Sequence, residues 1–222
     1  MHLENVSKSY YSKCGNEYKV LKNINLEIKS GEMLGITGDS GSGKSTLLNI
    51  LGCNTDITSG KYYLDGHETN NLKHSKRQKI KNEFFGLVLQ EFGLIDSISA
   101  YDNIEVPLLL NNAISFNEMP LMIEKALQRV DVLHLSNKII ETLSGGEKQK
   151  VAIARAIVMK PEIILADEPT GSLDSTSTNM IINVLRKINE ETSATIVLVT
   201  HNPMVSEHCD RVVKLVDGKM FF

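Results

Sequence analysis

"LGITGDSGSGKSTLLNIL" (Leu34–Leu51) joins an apolar run to a helix-like run through a loop holding Gly38, Gly41, Gly43 and Lys44. Met33–Thr37 is predicted as a short buried strand and Lys44–Leu51 as a helix. The loop "GDSGSGKS" (Gly38–Ser45) fits G-x-x-x-x-G-K-[ST] in the strand, loop, helix context that this pattern requires. Glycine backbone lets N–H groups wrap phosphate oxygens with no side chain intervening. The helix start adds the positive end of its dipole. Lys44 is placed to reach β- and γ-phosphates, and Ser45 to offer a hydroxyl to Mg²⁺. A glycine-rich turn that only caps a helix is the plainer alternative, and strand, loop and helix in register weigh against it.

Outward from this loop, Val20–Ile28 and the residues before it alternate loosely and read as antiparallel strands. Ser30-Gly31-Glu32 reads as a turn. Tyr62–Gly66 ends in Asp-Gly, a hairpin signal. Phe85–Gln90 reads as a strand. From Glu91 to about Thr142 strand patterns stop. Asn117–Leu135 has helical periodicity, with Leu121, Ile123, Ala126, Leu127, Val130 and Leu133 apolar, and Val106–Leu110 are expected to be core. Further on come a helix over Glu147–Lys160, a buried strand over Glu162–Asp167, a helix over Ser175–Asn189 and a strand over Thr195–His201. Buried strands alternating with helices predict an α/β fold with a mostly parallel sheet covered on both faces. The expected organisation is one domain, 1–222. Its core takes residues 1–90 and 143–222, with an N-terminal antiparallel β-subdomain, and a helical subdomain (91–142) is inserted.

The chain has 222 residues and a net charge of −3, so nothing global points to nucleic acid. The longest apolar runs, such as Val106–Leu110, fall far short of the ~20 residues that span a bilayer. "MHLENVSKSY" has no apolar signal segment. Three widely spaced cysteines, Cys14, Cys53 and Cys209, fit reduced thiols better than disulfides or a metal cluster.

A phosphate loop alone means a nucleotide and no more. The Asn-Lys-x-Asp that reads guanine is missing, since Asn137-Lys138 is followed by Ile139-Ile140. The apolar run Ile163–Ala166 leads into Asp167-Glu168, a Walker B arrangement. There Asp167 would enter the Mg²⁺ shell and Glu168 would polarise the attacking water. "LSGGE" (Leu143–Glu147) opens a long helix and makes a second anion-binding helix start in a chain with one phosphate loop. Ser144 with Glu147 is also a capping box. That reading alone leaves Gly145 and Gly146 unexplained, because glycine costs a helix stability.

With these stretches in hand, the sequence resembles the ATP-binding-cassette ATPases over essentially its whole length. Six elements stand in one order: the loop Gly38–Thr46, Gln90 after a strand, "LSGGE", "IILADEP", "SLD" (Ser172–Asp174) and His201 after "VLVT". The resemblance implies a P-loop NTPase that binds ATP and Mg²⁺ and closes as a head-to-tail homodimer. Each ATP would lie between one subunit's Gly38, Asp39, Ser40, Gly41, Ser42, Gly43, Lys44, Ser45 and Thr46 and the other's Ser144, Gly145 and Gly146. It further implies adenine stacking by Tyr10, with Tyr11 the alternative one register away. Gln90, Ser45 and Asp167 would sit on the metal, and Asp174 at the dimer interface. Glu168, His201, Lys44 and Gln90 would carry hydrolysis.

Glu147, Lys150, Leu87–Leu89 and Asn202 depart from the commoner residues of the family, and none is a nucleotide-contacting position. Asn49–Gly60, Ala166–Ser175, the stretch between Tyr10 and Val20, and the tail from Thr200 resemble one branch in particular. It holds macrolide exporters, lipoprotein-releasing ATPases and bacitracin-type peptide-resistance or bacteriocin-export systems. That branch implies a separate transmembrane permease with a large extracytoplasmic domain and a cassette peripheral on the cytoplasmic face of the membrane, with no nucleic-acid partner. Glu91–Leu110 is the candidate permease dock. The basic run Lys73–Lys81 reads as a solvated helix face in preference to a lipid contact. A soluble cassette acting on DNA or ribosomes is the main rival. DNA-repair relatives carry a long coiled coil where this chain has 53 residues (91–143), and ribosome-acting relatives carry two cassettes where this has one. A regulator that uses ATP only as dimer glue is disfavoured by Glu168.

Overall fold

The structure is a computed structural model and describes residues 1–70, 72–111 and 113–222. In chain order its elements begin with β1 (His2–Tyr11), β2 (Glu17–Glu27), β3 (Met33–Thr37), α1 (Lys44–Leu51), β4 (Ser59–Leu64), β5 (His67–Glu68), α2 (His74–Phe84) and β6 (Phe85–Val88). They continue with α3 (Ala100–Leu109), α4 (Met119–Arg129), α5 (Gly145–Ile157), β7 (Ile163–Asp167), α6 (Ser175–Thr192), β8 (Thr195–Val199), α7 (Pro203–Ser206), β9 (Arg211–Val216) and β10 (Lys219–Phe221). An antiparallel sheet runs β2-β1-β4-β5, and a second sheet runs β10-β9-β3-β8-β7-β6. In the second, β9, β3, β8, β7 and β6 are parallel and β10 is antiparallel.

Strand composition explains this arrangement. β8 is buried at every position and β3 and β7 at all but their last, as covered parallel strands require. Successive side chains go to opposite faces. Ile164, Ala166, Ile196 and Leu198 therefore pack with α3, α4, α5 and α6, whereas Ile163, Leu165, Val197 and Val199 pack with α1 and the antiparallel sheet.

Several expectations are corrected. The strand before Gln90 stops at Val88, which leaves Gln90 in a turn. The helix expected over Asn117–Leu135 is only Met119–Arg129. Asp131 turns left-handed (φ 57°), and the Asp131 and Val132 N–H groups close back on the Gln128 and Leu127 carbonyls at 3.1 and 3.0 Å. That is a Schellman stop with Asp where glycine is usual. Leu121 is exposed, and Leu133 lies in a 3-10 turn (Leu133–Leu135). Within Val106–Leu110 only Leu108 is fully buried, and Leu109 and Leu110 face solvent. The basic run forms α2, largely solvated, with Arg77 turned onto Asp56. All three cysteines are free. Among the described residues no helix is long and apolar enough to cross a membrane.

The β9–β10 hairpin was not anticipated, although Asp217-Gly218 (φ 47° and 74°) repeats the left-handed pair at Asp65-Gly66 (φ 48° and 72°). Gly218 also touches β2. Its carbonyl accepts the Lys22 N–H at 2.8 Å, and a Cβ there would stand 2.2 Å from the Val20 carbonyl oxygen. Gly218→Ala is expected to destabilise the fold by about 2–3 kcal/mol through this clash and the positive φ. Urea denaturation measures it.

Candidate functional site

The carboxyl ends of parallel strands converge on one cleft, the usual ligand position in such sheets. β3 delivers the loop Gly38–Gly43, β6 leads to Gln90, β7 ends at Asp167 and Glu168, and β8 leads to His201. The cleft holds about 660 Å³ and is lined by Val20, Gly38–Gly41, Gly43–Thr46, Gln90, Asp167, Glu168 and His201. Helix α1 starts at Gly43, whose φ of 106° is left-handed. A Cβ on Gly43 would stand 2.9 Å from Leu21 Cδ2 and 3.2 Å from Val20 Cγ1, so the loop lies hard against β2. Lys44 Nζ donates to the Gly38 and Asp39 carbonyls at 2.7 and 2.9 Å. The Ser42 hydroxyl is buried inside the loop without a partner among the described residues.

Glu168 adopts φ 46°, uncommon for a non-glycine residue and more so before a proline. Its N–H donates to the Val199 carbonyl and its carbonyl accepts the Gly171 N–H, both at 3.0 Å. Such strain persists only where surroundings impose it, as at functional sites. Glu168 Oε1 lies 2.8 Å from His201 Nδ1, while Oε2 has only a 3.4 Å contact with the His201 N–H.

Asp167 is half-buried beside it. Burial pushes its carboxyl above the usual range, a hydrogen bond from Ser45 and the Lys44 charge oppose the rise, and the Glu168 charge adds to it. Ser45, Gln90 and Asp167 are oxygen donors of the kind Mg²⁺ takes. Among the described residues no three His, Cys, Asp or Glu side chains gather to hold a metal unaided. These donors would hold such a cation only together with a bound phosphate.

Other singled-out positions lie outside this cleft's lining. Ser144 caps α5, sharing a full capping box with Glu147, and is exposed with Gly145. Hydrogen bonds from Ser144 hold the Glu147 carboxyl below the usual range. Asp174 caps α6 through the Ser177 N–H at 2.8 Å, which lowers its carboxyl likewise. Tyr10 is 43% exposed at the end of β1, with Lys8 Nζ 4.9 Å from its ring centre. Tyr11 is more exposed. Sequence reasoning missed Val20 as a wall of the cleft. It also missed Arg155 of α5, which donates to the Phe92 and Gly93 carbonyls and ties the turn after Gln90 to that helix. No local pattern sets either residue apart.

Residues 21–171 match the profile of the ABC transporter family. The chain is 43% identical over 225 residues to the ABC transporter ATP-binding protein MJ0796 of Methanocaldococcus jannaschii, across 98% of this chain and 94% of that one. It is 39% identical over 220 residues to the lipoprotein-releasing system ATP-binding protein LolD 1 of Rhodopseudomonas palustris, across 99% and 97%. It is also 42% identical over 200 residues to the macrolide export ATP-binding/permease protein MacB of Agrobacterium fabrum. That match covers 90% of this chain but 31% of the longer MacB. The dimeric structure of a post-hydrolysis state of MJ0796 bound to ADP and Pi superposes with a TM-score of 0.90 at 41% identity, over 100% of this chain and 96% of that one. With a nucleotide cleft built from its strand ends and these relatives along its whole length, the chain belongs to the ABC transporter family and is an ATP-hydrolysing cassette of it.

Proposed function

We propose that two copies close head to tail on two Mg·ATP and drive a separate permease that exports or extracts peptides, lipoproteins or antibiotics. One observation carries this reading. The phosphate loop, Gln90, Asp167, Glu168 and His201 line one cleft, while the α5 start is outside it, with Ser144 and Gly145 exposed. Such a helix start would serve a partner's γ-phosphate.

In the mechanism, the Gly38–Thr46 backbone and Lys44 bind the phosphates. Ser45, Gln90 and Asp167 would hold Mg²⁺, which supplies charge neutralisation at the phosphate oxygens. Glu168 Oε2 is the carboxylate oxygen freer to orient water in line with the γ-phosphate and accept its proton. His201 positions Glu168 through Oε1 and meets the γ-phosphate. Positioning and electrostatics supply most of the rate. Tyr10 pairs with Tyr18 across the β1–β2 hairpin, two residues before Val20, which favours it over Tyr11 as the adenine contact.

The proposed dock is Glu91–Leu110. Val106, Pro107 and Leu110 line an apolar groove of about 350 Å³ with Leu89 and Arg155. Arg155 links that groove to the turn after Gln90. The division into an ATP-binding core and a helical subdomain (91–142) belongs to the same reading. It places the cassette on the cytoplasmic face of a membrane. The similarity to LolD 1 and MacB supports export, and lipoprotein or macrolide relatives supply the substrate classes.

The test is affinity purification of a tagged Glu168→Gln chain with Mg·ATP from detergent-solubilised native membranes, followed by mass spectrometry. A stoichiometric permease with a large outer domain is expected. Ribosomal or DNA-bound partners without a membrane protein would overturn the transporter reading.

A further inference from the structure

Gln149 of α5 is fully buried, and neither its amide nitrogen nor its amide oxygen has a partner among the described residues. A glutamine amide can make several hydrogen bonds, and burying one unpaired is costly. Native chains keep such groups rarely, and each calls for a reason.

Its place supplies one. Gln149 follows Gly145 by four residues and Gly146 by three, so all three share a face of α5. Side chains on a helix lean back toward its N-terminus, which carries Gln149 over the two glycines. That face meets the segment after the Walker B strand and the first turn of α6. A Cβ on Gly145 would stand 3.2 Å from Leu173 Cδ2, and one on Gly146 would stand 3.4 Å from Ser177 Oγ. The same segment begins at Glu168 in its left-handed conformation and ends at Asp174, the α6 cap. It is held by the short turns Gly171 N–H to Glu168 carbonyl and Leu173 N–H to Thr170 carbonyl. The helix that opens with the proposed partner-facing serine thus keeps an unspent amide on the face that meets Leu173, within the loop that carries the proposed base.

We propose that Gln149 is a positioning residue. Its amide is satisfied by backbone groups of Glu168–Asp174 in the arrangement that hydrolyses ATP, and so couples α5 to the placement of Glu168. The inference rests on Glu168 acting as general base. Gln149 touches no reacting atom; it acts through the loop.

The test is Gln149→Met in the full chain, with Gln149→Leu beside it. Melting temperature and steady-state ATP hydrolysis are measured across protein concentrations. Replacing an unpaired buried amide by an apolar group of similar shape is neutral or stabilising, so an unchanged or raised melting temperature is expected. The KM for ATP is expected to stay within about twofold while kcat falls about tenfold to 100-fold, the scale of a misplaced catalytic group. Wild-type kcat in both variants would overturn the proposal and leave the amide a mere burden. So would a KM increase at kept kcat. A lowered melting temperature or failure to fold in both would also overturn it, because the amide would then be holding the fold. Glu168→Gln, assayed alongside, separates the two readings. Wild-type turnover there removes the general base and this proposal with it. A wild-type Gln149→Met next to an inactive Glu168→Gln removes this proposal alone.

Discussion

Glu168→Gln is expected to bind Mg·ATP, to form a stable dimer with it, and to lower ATP turnover by about 100-fold or more. The magnitude is that of removing a general base. The substitution keeps the side chain's length and leaves the backbone bonds to Val199 and Gly171 untouched, so the left-handed turn should survive. What changes is chemical. An amide oxygen is far too weakly basic to take a proton from water, and no charge remains to face the His201 ring at 2.8 Å. The loss should therefore appear in kcat and not in ATP affinity. Phosphate release measures the first, and gel filtration with and without Mg·ATP measures the dimer. Turnover left at the wild-type rate would take Glu168 out of the proposed mechanism.

Lys44→Ala is expected to weaken ATP binding by about tenfold to 100-fold and to leave hydrolysis undetectable. A charge-assisted hydrogen bond to phosphate is among the stronger single contacts available, roughly 1.5–3 kcal/mol. Lys44 Nζ donates to two loop carbonyls, so the ammonium sits at the mouth of the loop before any phosphate is considered. Its removal leaves the loop's own backbone contacts, such as the Ser42 N–H to the Asp39 carbonyl at 3.2 Å. Thermal stability should change little. Calorimetric titration of ATP measures the affinity. Wild-type affinity in this variant would mean that backbone N–H groups alone hold the nucleotide.

Legibility in the sequence followed how local the signal was. β3, the glycine loop and α1 have their predicted bounds because each end carries its own mark: a turn at Gly31, a glycine run, a lysine at the helix start. The helix expected after Asn117 runs six residues past its true C-terminal end because its periodicity continues through Val130 and Leu133, while its stop is an Asp in a glycine's conformation. The β9–β10 hairpin carried the same Asp-Gly mark as the first hairpin, but its alternation is interrupted by Val212-Val213 and Leu215-Val216. At the site, the order of motifs named Gln90, Asp167, Glu168 and His201, which line one cleft with the glycine loop, but also Ser144–Gly146 and Asp174, which lie outside it. It could not show Val20 or Arg155, whose contribution depends on long-range packing. Nor could it show that Gln149 is unpaired, since pairing belongs to three-dimensional surroundings.

The exposure of Ser144 and Gly145 away from the cleft has a kinetic consequence. If each active site needs a helix start from another copy, then the rate at high dilution grows with the square of the chain concentration. A copy adrift would meet its mate rarely and spend little ATP. A carrier with two equivalent docks would hold the pair at an effective concentration on the order of millimolar, without adding a single contact to the active site. The permease would then act first as a local concentrator, so that fuel is consumed mainly where there is a machine to turn.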